Sequence, residues 1–411
     1  MQDETNLSDE ELARIRHLIP GSEPTLVPIA EGMKAGRILP VADTLLAGNE
    51  LRYLTACVET NWISSAGSFV KQFESQFAAA MGSEFGVACS SGTAALHLAL
   101  VALGIGPGDE VIIPTFTMIA TANAVAYTGA TPVLVDSEPI SWNMDPALVA
   151  ARITPRTRGI VAMHTYGHPV DMDTISRLAD ARNLWILEDA AEAHGAQYRG
   201  RAVGSLGTAA CFSFYGNKIV TTGEGGMVTT NDEKLARMVR RLRDHAFSDE
   251  RHFWHKYLGF NYRMTNLQAA VGLAQTERLA HLVEARRVNA RRYRKRLCSI
   301  RGLTLPVESP GTTSAFWMYG VLLEEAFGCS RDELRERLAR RGIETRTFFI
   351  PIHLQPIYYG AYRAQTYPVA EALCQKGMYL PSGATLSEAD VDYVAQSLAR
   401  AQRGSTGDTK D

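Results

Sequence analysis

The residue whose setting most invites chemistry is Lys218. It follows the apolar run Phe212-Ser213-Phe214 through Tyr215-Gly216-Asn217 and precedes Thr222-Gly223-Glu224-Gly225-Gly226. A lysine amine held in an apolar, partly enclosed place loses proton affinity and attacks carbonyl carbons. Ser213, five residues earlier, is placed to contact a phosphate. The glycines permit tight turns that close a cavity around a ring. Taken alone, Lys218 reads better as a surface lysine in a loop. Two further segments change that.

Glu188-Asp189-Ala190-Ala191-Glu192-Ala193-His194 follows the apolar stretch Leu184 to Leu187. Adjacent acids at a strand end are costly without partners. An ionised Asp189 could pair with a protonated heterocycle nitrogen and hold the ring as an electron sink, as carbanion chemistry on pyridoxal 5′-phosphate (PLP) requires. Metal binding or helix capping by Asp189 is the plainer alternative. Ser90-Ser91-Gly92-Thr93-Ala94-Ala95 links an apolar run to a helical pattern. Small residues at a helix start let backbone amides and the helix dipole meet an anion, with the Thr93 hydroxyl as a further donor. The alternative is an ordinary serine-capped turn. The phosphate loop of nucleotide triphosphatases is absent, and Gly104-Ile105-Gly106-Pro107-Gly108 follows a helix, which excludes a dinucleotide fingerprint.

These residues need a scaffold that brings strand ends together. Seven short apolar runs read as strands: Phe85–Ala88, Glu110–Ile113, Pro132–Val135, Gly159–Met163, Leu184–Leu187, Ala209–Phe214 and Gly226–Thr229. Helical patterns separate several of them, for example Ala94–Leu103, stopped by Gly104. The alternation predicts an α/β fold with a mostly parallel seven-stranded sheet flanked by helices. Ligands in such sheets sit beyond the carboxyl ends of the strands. After about residue 240 the pattern becomes a long helix from Asn266 to near Cys298, a strand (Phe316–Leu323), a helix (Arg331–Arg341), an aromatic loop (Arg346–Tyr359) and a last helix (Glu388–Ala401). The expected organisation is an N-terminal extension (1–38), a large domain (39–240), a smaller α+β domain (241–403) and a frayed tail (404–411). Within the extension, Ser8 and Glu11 form a capping box, with Leu7 packing on Leu12.

Composition narrows the class. A 411-residue chain with net charge -2 has no excess of basic charge for nucleic acid, and the cluster Arg291 to Arg296 reads as a solvated helix face. No apolar run is long enough for a membrane span, and no signal peptide is visible. Six cysteines without a CxxC pair read as free thiols in a reducing cytosol. His164 and His168, four apart, lie beside Gly167 and Pro169; loop packing is the better reading, and no metal is expected.

The motifs together resemble the DegT/DnrJ/EryC1/StrS sugar aminotransferases of PLP fold type I. The supporting stretches run from about Pro40 to Ala401: Trp62 to Gly67, Ser90 to Leu100, Glu188 to Ala191, Phe212 to Lys218 with Thr221 to Gly226, and Gly259 to Gln268. The resemblance implies that Lys218 carries PLP as a Schiff base and that Asp189 pairs with the pyridinium nitrogen. Glu192, where many relatives have Gln, would lie near the phenolic oxygen. Gly92, Thr93 and Ser213 would hold the phosphate, with Asn261 reaching it from the neighbouring subunit of a homodimer. Met118 stands where the family often has an aromatic over the ring; Phe116 is the alternative. Trp62 and Ser64 would line the sugar pocket, with Trp62 as a core aromatic the alternative; Arg346 or His353 would meet the sugar or its diphosphate, with both as solvent-exposed loop residues the alternative. His194 would brace the site from behind.

The implied reaction is amination of a nucleotide-linked 4-keto-6-deoxyhexose at C4 by L-glutamate, the cofactor passing through its pyridoxamine form. The base of the nucleotide stays open, and dTDP-linked 3- or 4-ketosugars are the alternative substrates. Sugar dehydratases that use the pyridoxamine form have His at the position of Lys218, which argues against dehydration. A non-catalytic PLP-binding regulator remains the other alternative.

Overall fold

A computed structural model describes residues 38–248, 250, 251 and 253–403, with Ser8, Glu11, Ile15 and Ile19. The seven expected strands all form: β1 (Phe85–Cys89), β2 (Glu110–Pro114), β3 (Thr131–Val135), β4 (Thr157–Met163), β5 (Trp185–Asp189), β6 (Ala209–Ser213) and β7 (Gly226–Thr230). They make one sheet in the order β1-β7-β6-β5-β4-β2-β3. All neighbours pair in parallel except β7, which is antiparallel to both β1 and β6. Helices cover both faces, so β2 and β7 are buried along their whole length, as parallel sheets demand.

Helix starts carry their own signals. Ser91 accepts the amide of Ala94 and opens Gly92–Ala102, and Thr265 with Gln268 forms a capping box for Asn266–Glu277. The expected continuous helix from Asn266 breaks at Arg278, whose φ of -109° and ψ of 7° leave the helical region. The break has a packing cause. Asn266–Glu277 lies against Ser68–Ala80, beside the large sheet, whereas Leu279–Leu297 runs on to pack with Glu388–Arg403. One straight helix could not serve both layers.

A second, antiparallel sheet follows: β8 (Leu303–Thr304), β9 (Tyr319–Leu323), β10 (Arg346–Thr347) and β11 (Gly377–Leu380), in the order β8-β9-β11-β10. It has its own apolar cluster, including Leu334, Val391 and Leu398. The strand expected from Phe316 starts only at Tyr319, because Phe316 has φ 46°. The aromatic loop is more ordered than expected. It holds β10, a 3-10 turn (Ile352–Leu354) and the start of a helix (Pro356–Tyr362). The Ser8–Glu11 capping box forms, the Glu11 amide donating to Ser8 Oγ at 3.2 Å; Leu7, Leu12 and residues 404–411 lie outside the described residues. No described helix is long and apolar enough to cross a membrane.

Candidate active site

The sheet register builds the site. β1, β5 and β6 point the same way, so Cys89, Asp189 and Ser213 end at one edge. Gly226, where β7 begins, pairs with both Cys89 and Ser213. A Cβ on Gly226 would sit 2.2 Å from the Ser91 carbonyl, and one on Gly92 would sit 2.7 Å from Ser213 Cβ. Only glycine lets the strand, the helix start and the serine meet. A cavity of about 680 Å³ opens above this edge. Gly92, Thr93, Met118, Asp189, Glu192, Ser213 and Lys218 all line it, with Arg346 further out.

Lys218 Nζ lies 3.7 Å from Glu192 Oε1 and 3.8 Å from the centre of the Trp317 ring. Burial lowers the lysine pKa, opposed by attraction to Glu192 and Asp189. Glu192 is fully enclosed; its Oε2 accepts the Tyr166 amide at 2.9 Å. Burial raises its pKa, opposed chiefly by Lys218. Asp189 Oδ2 accepts the Thr121 hydroxyl at 2.7 Å and Oδ1 the Ala191 amide at 3.3 Å. Burial still raises its pKa. This carboxylate has neutral donors and room for a cation on the cavity side.

Behind it, Glu188 is fully buried and accepts the amides of Gly204, Leu206 and Gly207. His164 Nε2 sits 3.1 Å from Glu188, and its Nδ1 accepts the Val170 amide. The adjacent acids thus have the partners that burial demands. His164 and His168 serve loop packing, and His168 Nε2 accepts the Ser309 amide at 3.1 Å. No cluster of three or more metal-ligating side chains occurs among the described residues. His194 Nδ1 accepts the Val220 amide at 3.2 Å, two residues beyond Lys218. Its imidazole is pushed down to about 3 by burial and then by Lys218.

Other expected residues lie elsewhere. Phe116 is wholly buried among Tyr166, Phe348 and Phe349, which leaves Met118, 49% exposed, at the cavity. His353 does not reach the cavity. It is buried in the Ile352–Leu354 turn, with Nδ1 2.8 Å from Thr115 Oγ1 and Nε2 3.2 Å from Glu371. Trp62 is exposed, and Trp62 and Ser64 use their carbonyls to anchor Asn266. Asn261 is also exposed and accepts from Arg263 Nε at 3.0 Å. None of these three lines the cavity of its own chain. Sequence reasoning missed Trp317, whose Nε1 donates to the Asn217 carbonyl at 2.8 Å. Nothing in local spacing ties it to Lys218, a hundred residues earlier.

The lining suits PLP. An enclosed carboxylate awaits a ring N–H, a helix start and a serine hydroxyl offer donors to a phosphate, and a buried amine stands between them. The site and fold are those of a PLP-dependent sugar aminotransferase. The chain belongs to the DegT/DnrJ/EryC1/StrS aminotransferase family, which it matches over residues 45–399, and PLP is the cofactor of that family. It is 48% identical to the GDP-perosamine synthase of Caulobacter vibrioides over 361 residues, 88% of this chain and 97% of that protein. Identity to the GDP-perosamine synthase of Escherichia coli O157:H7 is 43%, over 88% of this chain and 98% of that protein. The crystal structure of DesV from S. venezuelae superposes with a TM-score of 0.84 at 38% identity, covering 91% of this chain and all of that one.

Proposed function

We propose that the chain transfers the amino group of L-glutamate to C4 of a nucleotide-linked 4-keto-6-deoxyhexose, giving a 4-amino-4,6-dideoxy sugar nucleotide of the GDP-perosamine kind. Similarity to the two GDP-perosamine synthases supports the substrate class. The observation that carries the chemistry is the Lys218 amine opening into the same cavity as Asp189, Glu192 and Ser213. When bound, PLP supplies the electron sink that loss of a Cα proton needs.

The side chains divide the remaining work. Lys218 is the Schiff-base lysine; its freed Nζ takes the proton from Cα of the donor and, in the second half, delivers one to C4 of the sugar. Asp189 holds the ring nitrogen in its protonated form, and Thr121 fixes that carboxylate. Gly92, Thr93 and Ser213 bind the phosphate. Met118 would lie against one ring face with its polarisable sulfur, and Glu192, fixed by the Tyr166 amide, would face the phenolic oxygen. Trp317 closes the lysine side against water. Asn261 completes the phosphate site of a second copy, and Trp62 and Ser64 approach its sugar pocket, so the working unit is a homodimer. Their exposure in the single chain supports this reading. The six free cysteines fit a cytoplasmic enzyme.

The test is a spectrum of the PLP-loaded protein, followed by L-glutamate and then GDP-, dTDP- and UDP-linked 4-ketosugars. Absorbance near ~420 nm should fall with glutamate and recover with one ketosugar. The dTDP-3-amino-3,4,6-trideoxy-alpha-D-glucose transaminase of Streptomyces venezuelae is 41% identical, which is why dTDP sugars belong in the panel. NMR of the product locates the new amine. Turnover retained in Lys218→Ala would overturn the assignment.

A further inference from the structure

One wall of the cavity combines Arg335 with Glu344, Thr345, Arg346 and Thr347. Arg335 lies on the helix Arg331–Ala339, yet its side chain is only 6% exposed. Its Nε is shielded from solvent and has no hydrogen-bond partner among the described residues. The nearest counter-charge is Asp332 Oδ1, 3.6 Å from Nη1. That same oxygen lies 3.0 Å from Arg331 Nε, so one carboxylate serves two guanidinium groups. Glu344 is committed elsewhere. Its Oε2 accepts the Val41 amide at 3.0 Å, and its Oε1 accepts from Arg346 at 3.2 and 3.3 Å.

A buried lysine in such a position can shed its proton; a guanidinium cannot at any working pH. Asp332, shared with Arg331, offsets the burial of Arg335 only in part, and a fixed charge buried without full compensation is strongly unfavourable. The remedy open to Arg335 is an anion brought by a ligand, for which its planar fork suits two oxygens at once. Arg346 adds a second cation to the same wall.

Resting on the transamination reading above, we propose that Arg335, with Arg346, forms an anion subsite in the cavity for an oxyanion of the substrates. The substrates offer two such groups: the nucleotide diphosphate and the side-chain carboxylate of glutamate. The chemistry is shared, and the probes separate the sources.

The experiment uses the PLP-loaded full chain. Binding of GDP, and separately of glutarate, is measured by calorimetry for the native protein and for Arg335→Gln. Weakening of GDP binding by roughly tenfold or more, with glutarate unchanged, places the diphosphate on Arg335. The reverse pattern places the carboxylate there. Both affinities unchanged within about twofold, in a variant that keeps its PLP absorbance, overturns the subsite. If Arg335→Gln does not fold, Arg335→Lys keeps the charge and loses the fork. A loss in either affinity then supports the subsite, and two unchanged affinities again overturn it. Failure of the underlying reading shows differently, as a native protein without the PLP band or without turnover on any ketosugar.

Discussion

Replacing Glu188 by Gln tests how the site is held from behind. Oε1 receives the amides of Leu206 and Gly207, both at 2.8 Å, and Oε2 receives the Gly204 amide at 2.9 Å. His164 is a further donor to Oε2. Its Nδ1 accepts from Val170, so its hydrogen is on Nε2. Four donors therefore converge on a carboxylate with no solvent exposure. Glutamine keeps the shape but turns one acceptor into a donor. Whichever way the amide faces, two donors lose their acceptor. Each orphaned buried donor costs about 1–3 kcal/mol, so the loss should be about 2–5 kcal/mol after some relaxation. Urea unfolding at one fixed protein concentration, with saturating PLP in both samples, reads this directly. A loss below about 1 kcal/mol would refute the reasoning, because it would mean that the donors find other acceptors. The Asp189 carbonyl accepts the His164 amide at 3.1 Å, so PLP affinity should fall with stability.

Two further outcomes are expected. In cofactor-free protein, Trp317→Leu removes the ring face beneath the Lys218 ammonium and should lower the lysine pKa further, while Trp317→Phe should keep most of the ring's stabilisation. The pH dependence of Lys218 labelling, read by mass spectrometry, checks this; an upward shift would contradict it. For His194, burial holds the folded pKa near 3, against about 6.5 in the unfolded chain. The unfolded state takes up the proton first, so stability is full above pH 6.5 and falls on acidification from there toward pH 3. The slope is about 1.4 kcal/mol per pH unit, or about 2 kcal/mol at pH 5. His194→Asn should flatten that part of the profile, and parallel curves for both proteins between pH 7 and 5 would count against it.

The large sheet was legible because parallel strands buried on both faces leave short apolar runs, as Glu110–Pro114 shows. The site followed from strand ends, since Asp189 and Ser213 terminate two such runs. What escaped the sequence depends on distant partners. Arg278 carries no breaker signal, and the helix stops there because two separate layers claim its two halves. His353 sits among polar and aromatic neighbours typical of a substrate loop, yet Thr115, 238 residues earlier, and Glu371, 18 residues later, take both ring nitrogens. Arg335 fits the charged rhythm of its helix, and only the tertiary fold turns it inward.

The antiparallel strand β7 also imposes an order in time. Among the described residues β1 lies at the sheet edge; its ladder partner is β7, roughly 140 residues later, and Cys89 at its end also bridges Arg263, later still. At ribosomal rates of about 5–20 residues per second, the Cys89 end of β1 waits on the order of 10–30 s for its neighbour. Throughout that interval an apolar edge strand is unpaired, the situation in which nascent chains associate wrongly. The turn after β1 and the lysine loop are closed by the same strand, so both halves of the site mature in one late event. Slower synthesis between the two strands should therefore lower the soluble yield without changing the properties of the molecules that do fold.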